Sequence, residues 1–227
     1  MTEKSKIKIK NPLLKDIIRF LMRMIFRISI EGRENVPPQG GIIVATNHLS
    51  RWDIPLLLLI PGRKDLTALV TDKYLEYPFI RWFIEAAGGI WIDRTRADFT
   101  AFRKAIEALE AGQSLGIAPE GTRSDKDGLL EGKPGTVLLA VKAQVPVVPV
   151  ALTGTEVVAR NWWRRPRLIM RFGKPFVLPP LTRENRDAGL QTSTDEMMCR
   201  IAALLPEEYR GFYRHHPRLK ELLENTD

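Results

Sequence analysis

The apolar positions along this chain follow two periods. Short runs rich in β-branched residues read as strands at 27–31 (RISIE), 42–46 (IIVAT), 66–71 (LTALVT), 89–92 (GIWI), 115–118 (LGIA), 147–152 (VVPVAL) and 168–172 (LIMRF). Between and beyond them, apolar residues recur at helical spacing over 12–25, 54–60, 74–87, 97–111, 135–144, 183–204 and 207–224. This alternation predicts an α/β fold with a mostly parallel or mixed sheet of about seven strands covered by helices, preceded by an N-terminal amphipathic helix. "VPPQGG" and "DKDGLLEGKPG" read as loops, and neither separates two cores. The expected organisation is a basic arm over residues 1–30 and one α/β domain over 31–227.

The first helical segment differs from the rest. Lys15, Arg19, Arg23 and Arg27 recur at every fourth position, while nearly everything between them is large and apolar. That pattern fits a helix lying in a bilayer interface, with its apolar face in the acyl region and its cations among lipid phosphates. The alternative is a first helix packed on the domain with a solvated basic edge. "NWWRRPR", residues 161–167, adds paired tryptophans beside three arginines, a combination that favours membrane interfaces but also occurs in solvated loops.

Composition narrows the picture at three points. A length of 227 residues suffices for one α/β domain with a sizeable core and is marginal for two. The single cysteine, Cys199, excludes an internal disulfide framework and fits a reducing compartment; its Met-rich helical setting, "DEMMCRIAALL", points to packing. No apolar stretch approaches the roughly 18 residues of a spanning helix, and charges recur through the only leader-like region. The expected location is therefore cytoplasmic, peripheral on the inner face of the cell membrane. Residues 1–30 hold eight Lys or Arg against Glu3 and Asp16, so most of the formal net charge of +8 sits there. Such a terminus serves nucleic acid, an anionic membrane or solubility alone.

Ligands of open α/β sheets bind beyond the carboxyl ends of the strands. Three polar clusters occupy such positions: "NHLSRWD" after 42–46, "DRTR" after 89–92 and "PEGTRS" after 115–118. In the first, "SRWD" is an S-x-x-D capping box, so Asp53 caps a helix on one reading. On the other, a carboxylate held at a helix start binds one nitrogen of His48 and frees the second to accept a proton. Both can hold together.

No covalent nucleophile suggests itself. "GQSLG", residues 112–116, matches G-x-S-x-G, but a nucleophile elbow needs strand before serine and helix after, and here the order is reversed. His48 would instead deprotonate a substrate hydroxyl for direct attack on an activated carbonyl. A zinc site lacks a second His or a Cys nearby, and neither a Walker A loop nor G-x-G-x-x-G occurs. Arg94 and Arg123 are each a surface ion pair by default; together on one rim they resemble an anion site, with Glu120 to aim an arginine or bind a hydroxyl. Lys133 is a loop lysine by default and a third cation if the loop folds inward.

These clusters, in this order over about residues 40–152, resemble the PlsC-type 1-acylglycerol-3-phosphate acyltransferases of the glycerolipid acyltransferase family. "NHLSRWD" looks like the family's H-x4-D block and "GGIWIDR" like its second; "PEGTRS" matches its third and "VPVVPVAL" resembles the fourth. The resemblance implies an α/β acyltransferase domain, often with N-terminal helices that meet the membrane. It implies His48 as base and Asp53 as its partner, with Arg94, Glu120, Gly121, Thr122 and Arg123 on the acceptor's glycerol phosphate. "TDKYLEYPFIRW" resembles a lysine-containing segment, which would put Lys73 near the thioester carbonyl. The implied partners are a lysophospholipid acceptor and a co-substrate thioester, acyl-CoA or acyl carrier protein, with no metal or other cofactor. Other acceptors (glycerol 3-phosphate, another lysophospholipid, a glycolipid) and a non-catalytic membrane-binding module stay open. Trp91 departs from the family pattern, and residues 155–227 match nothing recognisable.

Overall fold

The computed structural model describes residues 12–93, 95, 98–124, 128–182 and 186–225. Helix α1 (Pro12–Ile25) leads into β1 (Arg27–Glu31) and β2 (Ile42–Thr46), then α2 (Asp53–Leu57), β3 (Leu66–Thr71), α3 (Pro78–Ala87) and β4 (Ile90–Ile92). The chain continues through α4 (Phe99–Glu110), β5 (Ser114–Ile117), α5 (Gly135–Ala143), β6 (Val147–Thr153), α6 (Val158–Asn161) and β7 (Arg167–Phe172). It ends with α7 (Arg186–Leu204) and α8 (Pro217–Glu224).

The seven strands form one mixed sheet in the order β1-β7-β6-β2-β5-β3-β4. Strands β6, β2, β5, β3 and β4 run parallel; β7 is antiparallel to β6, and β1 is parallel to β7. Every residue of β2 and β6 is buried, as expected of central strands covered on both faces. One face is covered by α4, α5, α7 and α8, where Leu109, Val137, Leu139 and Met197 pack on Ile43 and Leu115. The other is covered by α1, α2 and α3, where Met22, Phe26 and Leu56 pack on Val44 and Val150.

Three helical segments differ from the sequence expectation. Residues 74–87 divide into a 3₁₀ turn at Asp72–Glu76 and α3, which starts on Pro78. Proline has no N–H to give an interior helix bond and fits the first helical position instead. Residues 207–224 break likewise into two 3₁₀ turns and α8, whose start is capped by His216 accepting from the Arg218 amide. The 54–60 run keeps only α2 as α-helix; Leu59 and Ile60 continue with tighter bonds to the carbonyls three residues back.

Helix α1 is also oriented otherwise than its stripe suggests. Lys15 is only 2% exposed, and its Nζ donates to the Leu66 carbonyl at 2.7 Å. Arg19 donates to the carbonyls of Leu58 and Arg63. Half of the basic stripe therefore fastens the helix to protein carbonyls, and only Arg23 and Arg27 remain exposed. The face turned to solvent is apolar: Leu13, Ile17, Phe20, Leu21 and Met24. The boundary at residue 30 falls inside β1, and Ile18, Met22 and Phe26 belong to the sheet's core.

Burial, with a smaller contribution from neighbouring Arg19, lowers the Lys15 pKa from 10.5 to about 8. Between those values the unfolded chain binds this proton and the folded chain has released it, so stability rises with pH across that window, by up to about 1.4 kcal/mol per pH unit. Below about 8 both states are charged and the buried ammonium costs the folded state most. Urea unfolding at the two ends of the window should show this rise, and Lys15→Met should flatten it.

Candidate active site

The site begins where β2 ends. Asn47 exchanges two hydrogen bonds with Leu152, donating to its carbonyl at 2.9 Å and accepting from its amide at 2.8 Å, which locks the end of β2 to β6. His48 follows, and the loop after β5 grips its main chain on both sides. The His48 amide donates to Glu120 Oε1 at 2.9 Å, and its carbonyl accepts from the Ser124 amide at 2.7 Å and the Ser124 hydroxyl at 2.9 Å. The "NHLSRWD" and "PEGTRS" clusters thus meet through backbone polar groups that would otherwise be buried unpaired.

Glu120 has a different place from the one expected. It is buried, and its second oxygen accepts from the Leu130 amide at 2.9 Å. Burial raises its pKa, an effect opposed by the bonds from the Leu130 and His48 amides and from Ser124. With both oxygens so used, Glu120 braces the His48 loop from inside instead of aiming an arginine or meeting a substrate hydroxyl.

Asp53 opens α2, and a single oxygen serves both roles that the sequence left open. Its Oδ2 accepts from His48 Nδ1 at 2.8 Å and from the Ser50 amide at 2.8 Å, while Ser50 Oγ accepts from the Trp52 amide at 3.1 Å. The same oxygen thus closes the turn that leads into α2 and orients the imidazole. The carboxylate bond assigns the proton to Nδ1 and leaves Nε2 with a free lone pair. Asp53 is 2% exposed, and its other oxygen, Oδ1, finds no donor among the described residues. The Asp53 carboxylate, 2.8 Å from Nδ1, is placed to stabilise positive charge that develops on the imidazole during proton transfer.

His48 opens onto a cavity of about 220 Å³. Arg51, Lys73, Thr122 and Arg123 share it, with Ile54, Val70 and Phe83 among the apolar walls. Three cations and the hydroxyl-bearing Thr71, Tyr74 and Thr122 thus share the cavity with the proposed base. Lys73 reaches this position on the 3₁₀ turn after β3, its Nζ 5.4 Å from the Tyr74 ring centre. Arg94 lies outside the described residues. Arg51, Asn47 and Ser124 also belong to the site; Asn47 and Ser124 act on it through the main chain. Their only sequence signal was adjacency to the His48 and Glu120 motifs.

Gly121 faces elsewhere. Its φ of +70° turns the loop so that it lines a second cavity of about 600 Å³ on the α4–α5 side. A Cβ at this position would lie 3.0–3.2 Å from the end of the Lys133 side chain, so the glycine leaves room for that lysine to cross the rim. The walls include Leu69, Phe102, Ile117 and Leu139, and Lys133 and Lys142 line the same space. Neither alternative nucleophile survives: Ser114, the first residue of β5, is buried with its hydroxyl donating to Asp65 at 3.1 Å, and burial pushes the Cys199 thiol up to about 12.

The sequence pattern described by the acyltransferase family matches residues 27–153, more than half of the chain. The chain belongs to that family. It is 30% identical over 219 residues to a 1-acyl-sn-glycerol-3-phosphate acyltransferase of Haemophilus influenzae, covering 91% of this chain and 90% of that protein. A Borreliella burgdorferi protein of the same name is 30% identical over 132 residues, 57% of this chain and 52% of its own length. The chain thus spans about half the length of some relatives and most of others. Among solved structures, the acyltransferase PlsC of Thermotoga maritima matches with a TM-score of 0.61 and 28% identity, over 82% of this chain and 79% of that one. The chain is therefore a PlsC-like member of the family, and its seven-stranded mixed sheet agrees with that fold.

Proposed function

We propose that the protein transfers a fatty acyl group from an acyl thioester, acyl-CoA or acyl carrier protein, to the free hydroxyl of a lysophospholipid, 1-acylglycerol 3-phosphate in the first instance, yielding phosphatidic acid. The observation that carries this reading is the Asp53–His48 pair opening onto a cavity with three cations. Names of the Haemophilus, Borreliella and Thermotoga relatives support the acceptor.

In this mechanism His48 Nε2 removes the acceptor's hydroxyl proton as the oxygen attacks the thioester carbonyl. Asp53 holds Nδ1–H and stabilises the imidazolium. The tetrahedral intermediate collapses, its C–S bond breaks, and the departing thiolate takes the proton from Nε2. No redox or metal-dependent step is required by this balance. Arg123, Lys73 and Arg51 bind the acceptor phosphate, with Thr122 as a hydroxyl donor; Arg94 joins them on the strength of the family resemblance alone. Lys73 then serves the phosphate or the thioester carbonyl, whichever lies nearer.

The test is to incubate the purified protein with a labelled acyl thioester and a panel of acceptors with and without phosphate, identifying products by mass. Failure of every thioester to react would overturn the reading in favour of a binding module. Arg123→Ala should raise KM for the phosphate-bearing acceptor about 10–100-fold and change kcat little, because a charge-assisted bond is worth about 1.5–3 kcal/mol.

The 600 Å³ cavity is the space for an acyl chain, since its deep walls are apolar. Gly135, at the start of α5, lines it, and a Cβ there meets nothing within 4 Å. Gly135→Trp should therefore narrow the cavity at its exposed edge and shift donor preference toward shorter chains, about tenfold in the ratio of kcat/KM values. An unchanged chain-length profile would place the chain elsewhere. The enzyme works, on this reading, peripherally at the inner face of the cell membrane, with the outward apolar face of α1 against lipid. Among the described residues no helix is long and apolar enough to cross a membrane.

A further inference from the structure

Helix α1 has an apolar outer face but has turned Lys15 and Arg19 inward, so the cations that would meet lipid headgroups must come from elsewhere. Topology brings them. Strand β7 is antiparallel to β6, with Ile169 beside Thr153, so the start of β7 lies at the same end of the sheet as the carboxyl ends of β6 and β2. That is the rim from which His48 emerges. Strand β1 is parallel to β7, pairing Arg27 with Arg167, so the end of α1 reaches this rim as well. Two contacts join the pieces: the Arg27 amide donates to the Pro166 carbonyl at 3.2 Å, and Arg165 reaches the Arg23 carbonyl at 3.5 Å.

The segment before β7 is a 3₁₀ turn, Trp162–Arg164, closed by Arg165 in the left-handed conformation at φ 50°. It holds both indoles outward: Trp162 is 56% and Trp163 62% exposed, their rings edge to face at 6.2 Å. Arg160, Arg164, Arg165 and Arg167 are exposed beside them, as are Arg23 and Arg27 on the neighbouring element. No acidic residue occurs in 17–30 or 157–167 to neutralise them. Phe26, just past α1, packs edge-on against Trp52 of the catalytic loop at 5.4 Å, which ties this surface mechanically to His48.

We propose that the Trp162–Arg165 turn is a second membrane anchor, which pairs interfacial tryptophans with headgroup-binding arginines and, together with the C-terminal half of α1, sets the His48 rim against an anionic bilayer. Tryptophan prefers the headgroup level, and each basic residue near an anionic leaflet adds about 1 kcal/mol, roughly fivefold in partition. The apolar face of α1 supplies insertion; the turn supplies charge and tilt. This inference rests on the proposal that the enzyme works on lipid at a membrane.

The test is sedimentation of the full chain with vesicles of phosphatidylcholine alone or mixed with phosphatidylglycerol. Preferential binding to the anionic vesicles is expected. Trp162→Ser with Trp163→Ser should weaken it about tenfold or more, and Arg160→Gln with Arg164→Gln about 25-fold at low salt, less at high salt. Transfer to a short-chain, water-soluble acceptor should be unchanged in both, because neither pair lines the His48 cavity. Phe212→Ser, an exposed aromatic on the C-terminal 3₁₀ turn, serves as the control and should bind normally. If Phe20→Ser with Met24→Ser abolishes binding while both turn variants retain it, α1 docks alone and the second anchor is refuted. Concentration-dependent dimerisation that the tryptophan variant removes, without any loss of vesicle binding, would assign the surface to a second copy and overturn the proposal. Loss of transfer to the soluble acceptor in the unmodified chain would instead refute the acyltransferase reading.

Discussion

His48→Ala lowers kcat for acyl transfer by about 10²–10⁴-fold and leaves the folded protein intact. The second half of that expectation comes from the way the loop is built. The bonds that hold residue 48 in place run through its amide to Glu120 and through its carbonyl to Ser124, and neither uses the imidazole. Alanine preserves both. What disappears is the proposed base, the one imidazole among the described residues of the cavity, with Nδ1 committed to Asp53 and Nε2 open. Residual transfer would come from fixing two reactants side by side, which needs no base. Single-turnover kinetics with a labelled thioester, together with a thermal melt, checks both halves. Near-normal turnover with an unchanged melt would remove His48 from the mechanism.

The second large effect is expected from Asp53→Asn, a loss in kcat approaching that of His48→Ala. Asparagine is nearly isosteric, so α2 and its first turn persist. Two outcomes are open to the new side chain, and both harm catalysis. With its carbonyl oxygen in the place of Oδ2, it still accepts from His48 Nδ1 and the Ser50 amide but no longer offers charge to an imidazolium. With its amide group there, it would meet the Ser50 N–H donor to donor and would force the lone pair of the imidazole onto Nδ1, leaving Nε2 protonated and unable to act as base. Acceptor KM should stay near its original value, since Asp53 is buried behind His48 and does not line the cavity. A rise in KM with kcat unchanged would show that Asp53 serves binding instead.

Much of this site was legible because its parts are short motifs at strand ends. "NHLSRWD" follows β2 and "PEGTRS" follows β5, and these two strands are hydrogen-bonded neighbours in the sheet. A parallel pair brings its carboxyl ends together, so the convergence follows from topology alone. "GQSLG" is no nucleophile elbow for the same local reason, since α4 precedes it and β5 begins at its serine. Side-chain direction was less legible. Glu120 and Arg123 lie three residues apart in one loop; the first is buried against the amides of His48 and Leu130, the second lines the cavity. Nothing in the letters distinguishes them. Arg51 carries no motif of its own between His48 and Asp53, and its place on the cavity wall with Lys73 and Arg123 comes from the folded structure alone.

The sequence by itself determined most of the elements and the α/β class, and it put His48 and Asp53 within reach of one another, because hydrophobic period and short-range spacing are local properties of the chain. Tertiary structure alone decided which charges face inward. Lys15 and Arg19 carry the same stripe as Arg23 and Arg27, yet the first two meet carbonyls of the α2–β3 region and the last two meet solvent. A cation goes where unpaired acceptors await it, and those acceptors lie dozens of residues away along the chain.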